Sequence, residues 1–138
     1  MIKVLVFGTF DILHKGHDYL LREAKKKGDK LFVVLARDKT VKKLKGKLPL
    51  NNERARMQAL QKHAAVDKVI LGNLGNKYLV LDEVRPDIIC IGYDQKFFVD
   101  KLRHELSKRQ LKTKIFRLRA FQPEVYKTSI IKNIENGI

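Results

Sequence analysis

Residues 3–38 read KVLVFGTFDILHKGHDYLLREAKKKGDKLFVVLARD. Two apolar, β-branched runs, 2–7 and 30–36, bracket a segment with a different period. That segment places apolar residues at 20, 21 and 24, then meets a run of lysines and Gly28, a helical pattern with its stop signal. The flanking runs are continuous rather than alternating, as expected of strands covered on both faces. Strand, helix, strand is the unit from which parallel sheets are built.

Working outward, the pattern repeats. Further apolar runs lie at 67–71 and 87–92, with a weaker one at 113–118. Helical patterns lie between them: NNERARMQALQKHA with Met57 and Leu60 on one face, GNKYLVLDEVRP ending at Pro86, and KFFVDKLRHELSKRQ carrying Phe98, Leu102 and Leu106. TSIIKNIENG closes the chain, with Thr128 as its helix cap. The expected fold is α/β, a Rossmann-like three-layer α/β/α domain around a five-stranded parallel sheet, with residues 1–138 as a single domain. A chain of this length buries roughly two-thirds of its unfolded surface, enough for a real core. The nearest thing to a linker is the basic stretch KKLKGKLPLNN, 42–52.

Composition narrows the partners. Thirty Lys and Arg against 15 Asp and Glu leave a formal charge of +15. Such a field attracts polyanions: nucleic acid, an anionic membrane surface or phosphorylated small molecules. A Lys-rich surface typical of a heat-stable proteome is the plain alternative. The single cysteine, Cys90, excludes an internal disulfide and suits a reducing cytoplasm. The N-terminal apolar run is too short for a signal peptide or a membrane span, so a soluble, cytoplasmic protein is expected. A nucleic-acid-binding module is the rival reading of the charge. The chain has no Trp, its aromatics sit mainly on apolar faces and its basic residues are spread along the chain, whereas such modules interleave aromatics with a reader motif.

Ligands of open parallel sheets bind beyond the carboxyl ends of the strands, at the switch point of strand order. The first such loop holds GTFDILHKGH, 8–17. His14 and His17 lack the further ligands a zinc site needs, and the HExxH helix, the dinucleotide fingerprint and the Walker loop are all absent. Phosphate chemistry remains. Gly8 lets a substrate approach the backbone. A helix starting near His17 offers N–H groups to an anion, and two imidazoles can donate to phosphate oxygens as charge grows on them.

GTFDILHKGH resembles the HxGH signature of the nucleotidyltransferase superfamily, the cytidylyltransferases and adenylyltransferases. The resemblance runs nearly the full chain: an Arg on the helix before Val66-Asp67 appears as Arg56, a Gly-x-Asp after the fourth strand as Gly92-Tyr93-Asp94, and a Ser/Thr pair opening the last helix as Thr128-Ser129. The C-terminal signature of glycerol-3-phosphate cytidylyltransferases, Arg-Thr-x-Gly-Ile-Ser-Thr, is replaced by the longer RAFQPEVYKTSII. VVLARDKTVKKLKGKLPL and PDIICIGYDQKF look closest to the archaeal FAD synthases, which are FMN adenylyltransferases.

The resemblance implies attack of a substrate phosphate on the α-phosphorus of a nucleoside triphosphate, with release of pyrophosphate. The nucleophile is already an anion, so positioning and charge stabilisation replace a general base. His14 and His17 are then implied to hold the α- and β-phosphates. Thr9 and Phe10 line the triphosphate pocket with Gly16, and Arg56 grips the β- or γ-phosphate with a two-point fork, Arg54 being the substitute. Asp11 contacts the nucleotide or serves as a turn residue. Asp38, Lys42 and Lys45 belong to the acceptor side, where a flexible basic stretch would clamp its phosphate. Gly92, Asp94, Arg119, Thr128 and Ser129 complete the nucleotide site; capping is the alternative for Asp94 and for one of the pair. Phe121 and Tyr126, or Phe97 and Phe98, would stack on a flavin unless they pack in the core. Mg²⁺ or another divalent metal is implied, held mostly by the phosphates, with no protein ligand assigned. ATP and FMN are the favoured substrates, glycerol 3-phosphate or a sugar phosphate the alternatives, and a homodimer without nucleic acid or membrane the expected assembly.

Overall fold

The computed structural model describes residues 1–92 and 99–119. The chain runs through β1 (Lys3–Gly8), α1 (Lys15–Lys25), β2 (Lys30–Leu35), α2 (Asp38–Lys45), α3 (Glu53–Gln61) and β3 (Lys68–Leu71). A 3₁₀ turn (Lys77–Leu79), α4 (Val80–Val84), β4 (Ile88–Ile91), α5 (Val99–Lys108) and β5 (Lys114–Arg117) follow. The five strands form one sheet in the order β3-β2-β1-β4-β5, every neighbouring pair parallel. The expected α/β architecture holds.

The inner strands feed two cores because successive side chains point to opposite faces. Val4 and Val6 of β1, with Leu31 and Val33 of β2, pack under Leu21 and Ala24 of α1 and Leu60 of α3. Leu5 and Val34 face the other way, with Ile89 and Ile91 of β4, against Val80 and Leu81 of α4 and Leu102 and Leu106 of α5. Helices therefore cover both faces, and the continuous apolar runs follow from that. Tyr78 of the 3₁₀ turn is buried with the second group.

The amino ends of the strands are tied by a repeated device. Asp29, Asp67 and Asp87 each stand one residue before a strand. Asp29 accepts the Ile2 N–H at 2.6 Å, Asp87 the Lys3 N–H at 2.8 Å and Asp67 the Leu31 N–H at 2.7 Å. Each carboxylate thus pins the start of a neighbouring strand, beside the register in which Lys3 pairs Lys30 and Val4 pairs Ile88.

Two expectations about elements change. The region after β2 was expected as a flexible basic stretch, yet residues 38–45 form α2. Its one buried side chain is Val41, too little to write a helical period into the sequence. Asp38 in its first turn and Lys42, Lys43 and Lys45 in its last complement the helix dipole instead. The first helix also begins at Lys15, earlier than His17, because His14 caps it. Among the described residues, no helix is long and apolar enough to cross a membrane.

Candidate functional site

Strand order reverses at β1: the chain moves outward to β2 and β3, then returns to β4 on the other side. The crevice beyond the carboxyl ends of β1 and β4 is the topological switch point. The loop after β1 opens there with a conformational penalty, since Phe10 adopts φ 49. A non-glycine residue in that region persists only where its surroundings hold it there. What holds it is burial: the Phe10 ring belongs to the core with Leu21 and Val6. Phe10 was expected to line the phosphate pocket; it supports the site from beneath instead. Gly8 needs the same correction. A Cβ there would lie 2.5 Å from the Phe10 ring, so the glycine makes room for the chain's own aromatic and not for a substrate.

His14 and His17 come together. Their rings stack with centroids 3.9 Å apart and planes 23° apart, and the His17 ring meets the edge of Phe10 at 5.1 Å. His14 caps α1 by accepting the Gly16 N–H on Nδ1 at 3.0 Å. That bond assigns the neutral tautomer with the proton on Nε2, where it can be donated outward. It also spends one of the helix N–H groups expected to face an anion. Gly16 follows from the same packing, because a Cβ there would sit 2.9 Å from His14 Cε1. The glycine of the His-Lys-Gly-His run is thus set by the imidazole lying across the helix start. His17 lies within α1 rather than in an open loop.

The first turn of α1 is braced from the side. Asp18 lies 2.8 Å from His63 Nε2 and 3.0 Å from Arg22 Nε. The hydrogen bond from His63, followed by that from Arg22, holds the Asp18 carboxyl below its ordinary range. The Ala65 N–H donates to His63 Nδ1 at 3.1 Å. Sequence reasoning did not single out His63 or Asp18, since 45 residues separate them and neither lies in a recognisable spacing.

Arg56 is the largest correction. It was expected to fork a phosphate, but it is 1% exposed. Nη1 donates to the carbonyls of Thr9 at 2.9 Å and Ala36 at 2.8 Å, Nε to that of Asn51 at 3.0 Å, and Nη2 to Asp38 at 2.7 Å. Four of the five N–H donors of a guanidinium are spent on the protein. The side chain ties the ends of β1 and β2 to the segment before α3. Asp38, expected on the acceptor side, is consumed by the same network. It pairs with Arg56 and accepts the Glu53 N–H at 3.2 Å, while its own N–H donates to Glu53 at 2.9 Å. Glu53 also pairs with Arg37, which donates to the Gly72 carbonyl after β3.

Asp11 is not a local turn residue: its bonds reach 39 and 40 residues along the chain. Its carboxylate accepts the N–H groups of Leu50 at 2.7 Å and Asn51 at 2.8 Å, and its carbonyl accepts from Asn51 Nδ2 at 2.7 Å. These bonds, the Asn51 amide first, lower its pKa against the opposing desolvation. Asn51 therefore joins Asp11 to Arg56, a role no local pattern could announce.

The remaining expected residues divide. Thr9 is half-buried with its carbonyl on Arg56. Lys42 and Lys45 are exposed on α2. Arg54 is exposed on α3, and Arg119 is exposed beyond β5. Gly92 follows β4, and its carbonyl accepts from Arg117 at 3.4 Å. Asp94, Phe97, Phe98, Phe121, Tyr126, Thr128 and Ser129 lie outside the described residues. Among the described residues no cluster of His, Cys, Asp and Glu could hold a metal; Asp18 beside His17 is engaged by His63 and Arg22, and Asp11 and Asp38 by backbone amides and Arg56. A hollow of about 400 Å³ at the amino ends, walled by Met1, Arg85, Leu111 and Thr113, is at the opposite end of the sheet.

A family profile described as Cytidylyltransferase-like matches residues 5–134. A protein of Aciduliprofundum boonei named FAD synthase is 46% identical over 88% of this chain and 80% of its own length. One of Methanobrevibacter smithii with the same name is 43% identical over 98% and 92%. Among solved structures, the lipopolysaccharide core biosynthesis protein of Thermoplasma volcanium superposes with a TM-score of 0.82 at 43% identity, over 88% of this chain and 99% of that one.

Proposed function

The chain belongs to the cytidylyltransferase-like family of nucleotidyltransferases, and from that premise we propose that it is an FAD synthase. A phosphate oxygen of FMN attacks the α-phosphorus of ATP. The bond from that phosphorus to the bridging oxygen of the β-phosphate breaks, pyrophosphate leaves and FAD remains. The observation that carries the reading is near-full-length identity to proteins of that name, with the paired histidines of this chain at the switch point of the sheet.

Each residue's part follows from what its atoms have left to give. His14 has Nδ1 occupied, so Nε2–H is the group that donates to a phosphate oxygen. His17, stacked beside it, donates to the neighbouring phosphate. Both interactions strengthen as negative charge moves onto the oxygens of the α- and β-phosphates. The α1 N-terminus and the N–H of Thr9 add dipolar donors of the same sign. Arg56, Asp11 and Asp38 are positioning residues that hold the loop after β1. Lys42 and Lys45 receive the phosphate of the acceptor, and Gly92, Asp94, Arg119, Thr128 and Ser129 the rest of the nucleotide. The described side chains do not form a metal cage, so a divalent ion such as Mg²⁺ is read as entering with the triphosphate, as part of the substrate. A single nucleotidyltransferase domain, 1–138, in a cytoplasmic homodimer is the accompanying assembly. The lone cysteine supports the compartment, and family resemblance supports the dimer.

The name of the Thermoplasma volcanium structure favours a second acceptor, a sugar phosphate, which would attack through the same kind of oxygen. A matrix of four nucleoside triphosphates against FMN, glycerol 3-phosphate and phosphosugars, read by pyrophosphate release and chromatography, separates the readings. FAD from ATP and FMN alone is expected. A nucleotide sugar or CDP-glycerol without FAD would overturn the acceptor and leave the transfer chemistry in place.

A further inference from the structure

The end of α2 and the segment after it expose apolar side chains where a basic stretch would expose polar ones. Leu44 is 74% exposed, Leu48 57% and Leu50 81%, and Ile12 of the histidine loop is 54% exposed. Each alone would be ordinary, since much of any protein surface is apolar. Their placement is not scattered. Asp11 binds the N–H groups of Leu50 and Asn51, so Leu50 is held beside the residue preceding Ile12, and Ile12 lies two residues before His14. The latch costs three hydrogen bonds' worth of organisation, and Arg56 anchors it from below through Asn51. Pro49 stiffens the same turn. Lys39, Lys42, Lys43 and Lys45 lie on α2 and Lys47 in the turn before Leu48, next in sequence to these apolar side chains.

We propose that Ile12, Leu48 and Leu50 form an apolar ledge that carries the planar ring system of the acceptor, with the lysines of α2 and Lys47 taking its phosphate. This rests on the FMN reading above and adds the residues that choose the acceptor. A large flat aromatic ring buries apolar area on contact, whereas glycerol or a sugar does not need such a surface. The surrounding charge complements a phosphate dianion on the same molecule. A second copy of this chain fits the ledge poorly, because its own basic rim would face another basic rim.

The test is flavin binding without turnover, followed by the quenching of flavin fluorescence. The double variant Leu48→Ser, Leu50→Ser removes the ledge at exposed positions, so folding is retained and a melting curve checks it. Riboflavin has the ring without the phosphate, and FMN has both. The expected result is roughly tenfold weaker binding of both flavins, the scale of losing one buried leucine contact, with an unchanged KM for ATP. Lys42→Gln with Lys45→Gln should weaken FMN only. Wild-type affinity of the leucine variant for both flavins would overturn the ledge even if FAD is still made. Flavin binding that depends on the leucines in a protein that makes no FAD would overturn the reaction and keep the ledge. Vesicles of phosphatidylserine are the control for the other anionic surface. Co-sedimentation that is lost in the leucine variant, with flavin binding intact, would reassign the ledge to membrane and overturn the proposal.

Discussion

The two ends of the sheet use the same chemistry for opposite purposes. At the amino ends, Asp29, Asp67 and Asp87 accept backbone N–H groups from adjoining strands. At the carboxyl ends, Asp11, Asp38 and Glu53 also accept backbone N–H groups, but from loops and helix starts. The first set fixes strands that the sheet already places. The second fixes segments that no strand places, and it needs a buried arginine to join them. Phe10 shows the same contrast in its backbone. It holds a left-handed conformation at the ligand end, while Arg85 and Gln110, the other described non-glycine residues with positive φ, only follow α4 and α5. A carboxylate that accepts amides thus says little by itself. Whether its partner is already fixed decides if it stabilises the fold or shapes the site.

Arg56→Leu is the change that breaks the comparison hardest. It strips Asp38 of its partner and leaves the Thr9, Ala36 and Asn51 carbonyls without a donor. A loss of about 3–5 kcal/mol is expected, the scale for removing one member of a buried pair. Urea unfolding measures it. A loss under about 1 kcal/mol would show that the network is not what joins the loops.

His14→Ala and His17→Ala should instead separate function from stability. Turnover should fall about 10²–10³-fold in each, as for removal of one preorganised donor, while His14→Ala should lose in stability only the ~1 kcal/mol of one helix cap. Normal turnover in both would remove the histidines from the reaction.

Cys90 offers a probe of the core between the two ends. Burial pushes its thiol up from 9.0 to about 11. The unfolded chain therefore releases this proton first as pH rises. The stabilisation is whole below about pH 9 and declines between about 9 and 11, by roughly 2–3 kcal/mol in total. Unfolding of wild type and Cys90→Val across that range measures it, since lysine titration is common to both. A parallel decline in the two proteins would assign the alkaline loss elsewhere.

The smallest effect belongs to the amino end. Asp67→Ala removes the partner of the Leu31 N–H and of Lys25. A cost of about 1 kcal/mol is expected, with turnover unchanged once the protein is folded. A turnover loss like that of the histidine variants would mean that the two ends are coupled.

What the sequence alone determined is the part written in local patterns. Apolar runs marked the strands, most clearly β1, β2 and β4, where burial on both faces demands them at consecutive positions, and only weakly β5, whose residues other than Ile115 are exposed. The helical pattern NNERARMQALQKHA forms α3, capped by the Asn52 side chain within its opening pair of asparagines. His-Lys-Gly-His marked the ligand end because a short run carried both imidazoles and the glycine between them. Tertiary structure decided whatever depends on a partner far along the chain. Arg56 reads as an exposed phosphate ligand until the Thr9 and Ala36 carbonyls, 47 and 20 residues away, close around it. Asp11 reads as a turn residue until Leu50 and Asn51 arrive at its carboxylate. A side chain's chemistry is local, but the hydrogen-bonding capacity it has left for a substrate is what remains after distant backbone has claimed its share.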